Sequence, residues 1–497
     1  MIVRPTFKRK IFYALIYCSI TFIYAHSQNT IAVIGTGYVG LVSGACLAEI
    51  GNFVICADID SEKIKGLQEG IIPIYEQGLT EIVARNVEAK RLAFTDNIAL
   101  AIKNANIIFI TVGTPMSDDG SADLSYIDSV ISIIAKNINS HKIIVTKSTV
   151  PVGTGKKIRS TLENEFNIDP TLFSLASNPE FLREGLAIYD FLHPDRIVLG
   201  TDSDKALIAL CDIYEQLIST GTPHVLTDIS TAEMIKYASN SFLAVKISFI
   251  NEIANLCDKT NANAKVVAEA MGLDRRIGPL FLMPGPGFGG SCFPKDSQAL
   301  IYTAKQHNLN FHTVQAAIDA NKLQQQKPVE KLVTLMQKKG EQIIAGKIVA
   351  VLGLAFKAHT DDVRYSPAIT TIQMLLEKGA TVKAYDPIAM PNMKYIFPDI
   401  IYGNTLYETI QDVDAIIILT EWDEIKNMNF ARVKDLVKQA IIVDARNVID
   451  PEILKQLGFM CDNIGQSYLC KKNCGHLRKL VPIHLRKRLP SHSVYRL

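Results

Sequence analysis

Cys292 lies in the run Gly289-Gly-Ser-Cys-Phe-Pro-Lys-Asp296, with a cation three residues on and a carboxylate four residues on. The paired glycines let the backbone approach a ligand, and a helix starting here would place Cys292 at its N-terminus. In that position a thiolate is stabilised below its free value of about 8.5, and the thiolate is the nucleophilic form. The alternative is a buried structural cysteine, the usual fate of the type.

A second glycine cluster, Gly35-Thr-Gly37-Tyr-Val-Gly40, follows the apolar run Ile31–Ile34 and opens a helical-looking segment. Asp58 sits 18 residues past Gly40, at the end of the next apolar run, Phe53–Ala57. Gly35 permits a tight turn, Gly37 lets the backbone approach a pyrophosphate, and Gly40 lets the helix pack closely on the strand. The helix N-terminus favours the phosphate charge. Asp58 would accept a ribose 2′-hydroxyl and repel a 2′-phosphate, so NAD is expected as the cofactor rather than NADP. A cysteine nucleophile beside an NAD site points to oxidation through a covalent thio-intermediate.

These groups need a framework to hold them. Short apolar runs recur at Ile107–Val112, Ile143–Thr146 and Ile197–Leu199, separated by helical-looking segments such as Gly40–Ile50 and Tyr126–Asn137. Alternating strands and helices predict a parallel α/β sheet. Residues Thr231–Cys257 contain no Gly or Pro and repeat apolar residues at helical spacing, predicting a long helix that bridges domains or forms a dimer spine. The dense Pro284-Gly-Pro-Gly-Phe-Gly-Gly290 must be a shaped loop. The opening pattern then returns: Lys347–Gly353 reads as a strand into a glycine turn, followed by strands at Val382–Tyr385, Ala415–Leu419 and Ile441–Val443. Here Gly353-Leu-Ala-Phe-Lys357 lacks the later glycines and adds a lysine. This turn either grips a different phosphorylated group through Lys357 or is plain packing. The fold class is α/β, with two Rossmann-like parallel-sheet domains joined by a central helical domain.

The 497 residues are 48% hydrophobic and 21% charged, which excludes collagen-like, disordered, disulfide-stapled and multi-span membrane chains. The net charge of +2 averages unlike parts. Residues 1–29 carry four basic residues and no acid, and 464–497 carry eight and no acid, leaving 30–463 at −10. Nine scattered cysteines read as reduced and intracellular. Basic residues up to Lys10, the apolar run Ile11–Ala25 and polar His26–Asn29 fit a secretory signal cleaved after Ala25 or Ser27, or an extension that no domain requires. The cytosolic cofactor favours the second reading, hence a cytoplasmic location. Near the C-terminus, Cys470, Cys474, His476 and His484 match no usual zinc spacing, and no metal is expected. The expected division is 1–29 extension, 30–204 NAD-binding domain, 205–325 central helical domain, 326–466 second Rossmann-like domain and 467–497 basic tail. The tail reads as disordered, with membrane or polyanion contact through the ends as a weak alternative, and nucleic acid is not expected as a partner.

Several ordered blocks together resemble the nucleotide-sugar dehydrogenases. They are Gly35–Gly40, Gly113-Thr-Pro115, Ser148-Thr-Val-Pro151, Asn178-Pro-Glu-Phe-Leu-Arg-Glu-Gly185, Lys236-Tyr-Ala-Ser-Asn240, Gly289–Asp296 and Gly353–Lys357, spanning about Ile31 to Gly465. The resemblance implies a central dimerisation domain, a homodimer or dimer-based oligomer, and a C-terminal domain that helps hold a UDP-sugar. It implies a four-electron oxidation of a sugar C6 alcohol using two NAD in succession. Cys292 is the implied nucleophile, with Lys236 and Asn240 stabilising the oxyanion, Asp296 positioning water, and Glu180 with Thr149 assisting hydrolysis. Tyr38, Val39, Lys63, Thr114, Thr149, Glu184 and Arg364 are implied for the cofactor, beside the glycines and Asp58. Phe181, Leu182, Arg276, Gly289, Phe356, Lys357 and Arg446 are implied for the substrate, with Glu180, Lys236 and Asn240, and Arg276 reaching the neighbouring subunit's substrate. For Lys236 the plainer alternative is snorkelling, for Glu180 loop capping, and for Arg276 and Arg446 surface ion pairs.

The sequence around Cys292 resembles the members acting on UDP-glucose, whereas those acting on N-acetylated sugars tend to carry His in place of Ser291. Tyr365 departs from the family, which usually has Glu there, and this bears on a salt link to Arg364. The readings set against UDP-glucose oxidation are the same chemistry on GDP-mannose or an N-acetylated UDP-sugar, and an inactive nucleotide-binding scaffold at a membrane.

Overall fold

The computed structural model describes residues 29–341 and 343–466. The signal-like segment, the basic tail and Cys470, Cys474, His476 and His484 lie outside the described residues. Two sheets carry the molecule. The first holds β1 (Thr30–Ile34), β2 (Phe53–Ala57), β3 (Leu92–Thr95), β4 (Ile107–Ile110), β5 (Lys142–Thr146), β6 (Phe173–Ser177), β7 (Ile197–Thr201) and β8 (His224–Thr227). Its order is β3-β2-β1-β4-β5-β6-β7-β8. The second holds β9 (Ile348–Leu352), β10 (Thr381–Tyr385), β11 (Ile401–Tyr402), β12 (Ala415–Ile418), β13 (Ile441–Asp444) and β14 (Met460–Asn463). Its order is β11-β10-β9-β12-β13-β14.

The apolar runs become buried strands because both faces of each sheet are covered. Ile31, Val33 and Phe109 pack on one face of the first sheet, and Ala32, Ile34 and Ile108 on the other. Val349 and Val351 oppose Ala350 and Leu352 in the second sheet in the same way. In each sheet the first strand has neighbours on both sides, and ligands of such sheets bind outside the carboxyl ends where strand order reverses.

The strands that the apolar runs did not reveal include the four edge strands, β3, β8, β11 and β14, where a continuous apolar run is not required, and the serine-bearing β6. One expectation is corrected: β7 is antiparallel to β6, and β8 runs parallel to β7, so the sheet is not parallel throughout. An apolar run marks a buried strand but not its direction. The first sheet also continues beyond residue 204, where the sequence placed a domain boundary. Ala206, Leu210 and Ile213 of the helix Asp204–Ile213 pack in its core, and β8 is its last strand.

The long helix spans Ile229–Thr260, 32 residues and about 48 Å. Asp228 caps it, accepting from the Thr231 N–H at 2.8 Å, and Asn261 ends it in a left-handed conformation. Its buried face includes Lys236, Tyr237, Asn240 and Ser241. The helix Phe293–Gln306 packs beside it and begins at Cys292. Among the described residues, no helix is long and apolar enough to cross a membrane.

Candidate active site

The first glycine turn is built as a dinucleotide cradle. Gly35 has φ +102°, and a Cβ on Gly40 would lie 1.8 Å from the Gly35 carbonyl oxygen. A Cβ on Gly37 would meet nothing within 4 Å, so this face of the turn is open towards a ligand. Tyr38 and Val39 start the helix Tyr38–Glu49, whose first N–H groups border that opening. Asp58 Oδ2 accepts from the Thr36 N–H and hydroxyl, both at 2.8 Å, and from Lys63 Nζ at 3.0 Å. Among the described residues Oδ1 accepts only the Asp60 N–H, at 3.1 Å, and keeps room for a ribose hydroxyl. Burial pushes the Asp58 carboxyl up, but the Thr36, Asp60 and Lys63 donors outweigh it and hold it below the usual range. The residues present fit NAD.

The second turn repeats the first and shows why it differs. Gly353 has φ +90° and donates to the Tyr385 carbonyl at 2.8 Å, as Gly35 donates to Ala57. Asp386 follows β10 as Asp58 follows β2. Its carboxylate is fully buried and accepts from Leu354, Ala355, Ile388, Ala389 and Trp422 Nε1. It has no position left for a ribose.

Between the two sheets, the long helix and the cysteine loop meet the β6–β7 connection. Lys236 Nζ donates to Glu180 Oε1 at 2.8 Å, and both side chains are only 4% exposed. Glu180 Oε2 accepts the Leu182 N–H at 2.5 Å. One turn along the helix, Asn240 Nδ2 donates to Asp296 Oδ2 at 2.7 Å, while Lys295 Nζ donates to Oδ1 at 2.6 Å. Asp296 is 0% exposed. The Phe181 ring lies under two cations, Arg196 at 3.5 Å and Lys236 at 5.4 Å. Thr114 donates to the Thr149 carbonyl at 2.8 Å, tying the loops after β4 and β5 together.

Cys292 does stand at the N-terminus of its helix, without a side-chain capping hydrogen bond, but the expected low thiol value is corrected. Burial pushes the thiol up to about 11, against the opposing pull of the Lys236 ammonium. The Asp296 and Glu180 carboxylates push in the same direction as burial. Burial pushes Glu180 up, but Lys236 outweighs it and holds the carboxyl below its usual range. Lys236 is raised, because Glu180, Cys292 and Asp296 together outweigh burial.

The C-terminal sheet closes over this centre. A Cβ on Gly289 would lie 2.3 Å from the Tyr365 carbonyl oxygen, and one on Gly290 would meet the Phe356 ring at 2.8 Å. The paired glycines thus admit the 356–365 loop of the same chain on the side where a Cβ would point. Glu184 accepts from Ser291 and Thr360, each at 3.1 Å, and lies 3.5 Å from Arg364. Burial and the Asp362 carboxylate push Glu184 up to about 7, with Arg364 opposing. Arg364 forks onto Asp362 at 2.8–3.0 Å, so its ion pairs do not use position 365. The Tyr38 hydroxyl donates to Asp361 across the same cleft. Lys357 lies over the Phe356 ring, and burial lowers its ammonium against the Glu184 carboxylate. Arg446 donates to the carbonyls of Leu419 (2.7 Å) and Phe356 (2.5 Å) and pairs with Glu421 at 3.2 Å. Arg276 stands apart: its side chain is 88% exposed and paired with Asp274 at 2.6 Å.

Sequence reasoning gave no role to Lys147, Asn178 and Tyr214, which are buried together directly behind the Glu180 turn. It also passed over Glu76, whose carboxylate holds the Gly185 and Ala187 N–H groups at 2.6 and 2.8 Å.

A dinucleotide cradle on one Rossmann-like sheet, a second such sheet without one, and a cysteine–lysine–carboxylate centre between them define a nucleotide-dependent dehydrogenase. The chain belongs to the UDP-glucose/GDP-mannose dehydrogenase family. Residues 29–218 match its NAD binding domain, 230–323 its central domain and 350–451 its UDP binding domain. The chain is 48% identical over 440 residues to a UDP-glucose 6-dehydrogenase of Bacillus subtilis, covering 88% of this chain and 94% of that one. A UDP-glucose 6-dehydrogenase of Rickettsia felis is 46% identical over 438 residues, covering 88% and 96%. Among solved structures, a UDP-glucose dehydrogenase from Pyrobaculum islandicum superimposes with a TM-score of 0.79 at 36% identity, covering 86% of this chain and 96% of that one.

Proposed function

We propose that this chain oxidises the C6 alcohol of UDP-glucose to the carboxylate of UDP-glucuronate, consuming two NAD and one water. The observation that carries this reading is the convergence of Cys292, the Lys236–Glu180 pair and the Asn240–Asp296 pair on one buried point. The Gly35–Gly40 turn and Asp58 would hold NAD, which would supply the hydride acceptor for each oxidation of the sugar carbon. Lys236 and Asn240 donate to the sugar O6, holding the alkoxide in a site where fixed charge counts more than in water. The Cys292 sulfur then adds to the C6 aldehyde while the thiol proton goes to the oxygen, so a half-buried neutral thiol is a workable starting state. The thiohemiacetal would then lose its hydroxyl proton to solvent and its C6 hydride to the second NAD, leaving a thioester. Water held by Asp296 attacks it with help from Glu180 and Thr149, the C–S bond breaks, and the sulfur takes back a proton.

Lys357 and Arg446 are the cations we assign to the UDP side, with Phe181, Leu182, Gly289 and Phe356 shaping the pocket. Glu184, Arg364, Thr114, Tyr38, Val39 and Lys63 border the cofactor. We assign Arg276 to the partner's site, consistent with its exposure on this chain. The assembly is a dimer through the long helix, where Met234, Phe242, Phe249 and Leu256 form an exposed apolar stripe. The reading places the reaction in the cytoplasm, where NAD and nucleotide sugars are supplied. The test is a substrate panel. NADH should appear with UDP-glucose and not with GDP-mannose or UDP-N-acetyl sugars, and Cys292→Ala should abolish uronate formation. A preference for another nucleotide sugar would overturn the assignment.

A further inference from the structure

Lys147 follows β5, and Asn178 follows β6; the two strands pair with Thr146 opposite Ser177, so the two side chains emerge together. Lys147 Nζ lies 3.0 Å from Asn178 Oδ1 and 3.5 Å from the Tyr214 hydroxyl. The Tyr214 hydroxyl donates to the same Oδ1 at 2.7 Å, and Asn178 Nδ2 donates to the Val198 carbonyl at 2.9 Å. Lys147, Asn178 and Tyr214 are 4%, 2% and 3% exposed. This ammonium is therefore buried on neutral oxygens, without a carboxylate at ion-pair distance among the described residues. A buried charge held this way costs more than an apolar side chain of the same shape would. The carboxylate its charge acts on is Glu180, two residues beyond Asn178.

We propose that Lys147 is a positioning residue for Glu180: it fixes the Asn178–Leu182 turn and keeps the Glu180 carboxylate charged, so that Lys236 stays oriented toward the reacting oxygen. The groups acting on Glu180 come from every side of it. Lys236 stands on the long helix, Lys147 at the end of β5, Arg196 before β7, and Cys292 in the cysteine loop. Asp296 acts on Lys236 and Cys292 from the start of the next helix. Lys147 itself faces Glu180, Lys236, the Cys46 thiol and the Tyr214 hydroxyl. Burial pushes its ammonium down to about 8, with Glu180 opposing, so it carries its charge at neutral pH.

The inference rests on the UDP-glucose reading, and its test keeps the two apart. The pH profile of kcat for UDP-glucose oxidation is measured for the wild type, Lys147→Met, Lys147→Gln and Tyr214→Phe, with melting curves for each. Removing the charge should move the acidic limb up by about one pH unit, with little change in KM for UDP-glucose. Tyr214→Phe, which keeps the charge, should leave the limb in place. A folded neutral variant with an unmoved limb overturns the role of Lys147, even if kcat falls evenly at every pH. Lys147→Gln serves if Lys147→Met does not fold. Absence of UDP-glucose turnover in the wild type would overturn the function and, with it, this role in it.

Discussion

A thiol that burial pushes up to about 11 is mostly protonated at neutral pH, and that shapes how Cys292 reacts. The helix start beneath it was visible in the sequence, because Gly-Gly before it and Pro294 after it are local signals. Its burial was not, because burial comes from the second sheet and the long helix closing around the loop. The raised value gives a direct expectation for the ligand-free protein. Alkylation of Cys292 by iodoacetamide, followed on its peptide by mass spectrometry, should rise about tenfold per unit between about pH 7 and 10. A rate that levels off near pH 8 would mean the thiol is not pushed up. Lys147 was illegible for a related reason: a lone lysine after an apolar strand looks like any strand-end lysine until its neighbours are known.

At the scale of elements, the glycines divide the work between cofactor and protein. Gly35, Gly37, Gly40 and Asp58 were readable because a strand, a turn and a helix are contiguous in sequence. The role of Gly289 was only half readable, since the atom it makes room for, the Tyr365 carbonyl, lies 76 residues further on. That contact sets a prediction. Gly289→Ala places a methyl 2.3 Å from a backbone oxygen, so the 356–365 loop must shift. The variant should lose about 1–3 kcal/mol of stability and lower kcat/KM for UDP-glucose, as read by urea unfolding and initial rates. A variant with wild-type stability and turnover would show that the loop contact is dispensable. The reversed direction of β7 was likewise beyond sequence reading, because apolar runs carry no polarity and residues 178–196 are long enough to return the chain either way.

At the scale of the molecule, two α/β sheets around a central helix were legible in the recurrence of one strand–glycine pattern at Ile31 and again at Ile348. The second sheet's loss of a dinucleotide site was legible in its missing glycines, and the buried Asp386 supplies the structural reason. The proposed dimer rests on what the long helix leaves uncovered. Phe242, Phe249 and Leu256 recur every seven residues and are 63%, 46% and 58% exposed. Phe249→Asp should weaken dimerisation by at least about a hundredfold, read by sedimentation velocity, since an aspartate in an apolar interface centre is left unpaired. An unchanged dimer would move the interface elsewhere. The central claim, that one buried site carries out both oxidations through Cys292, is tested most directly by counting NADH per UDP-glucose consumed. Two NADH with a uronate product is the expected result, and one NADH with an accumulating aldehyde would contradict it.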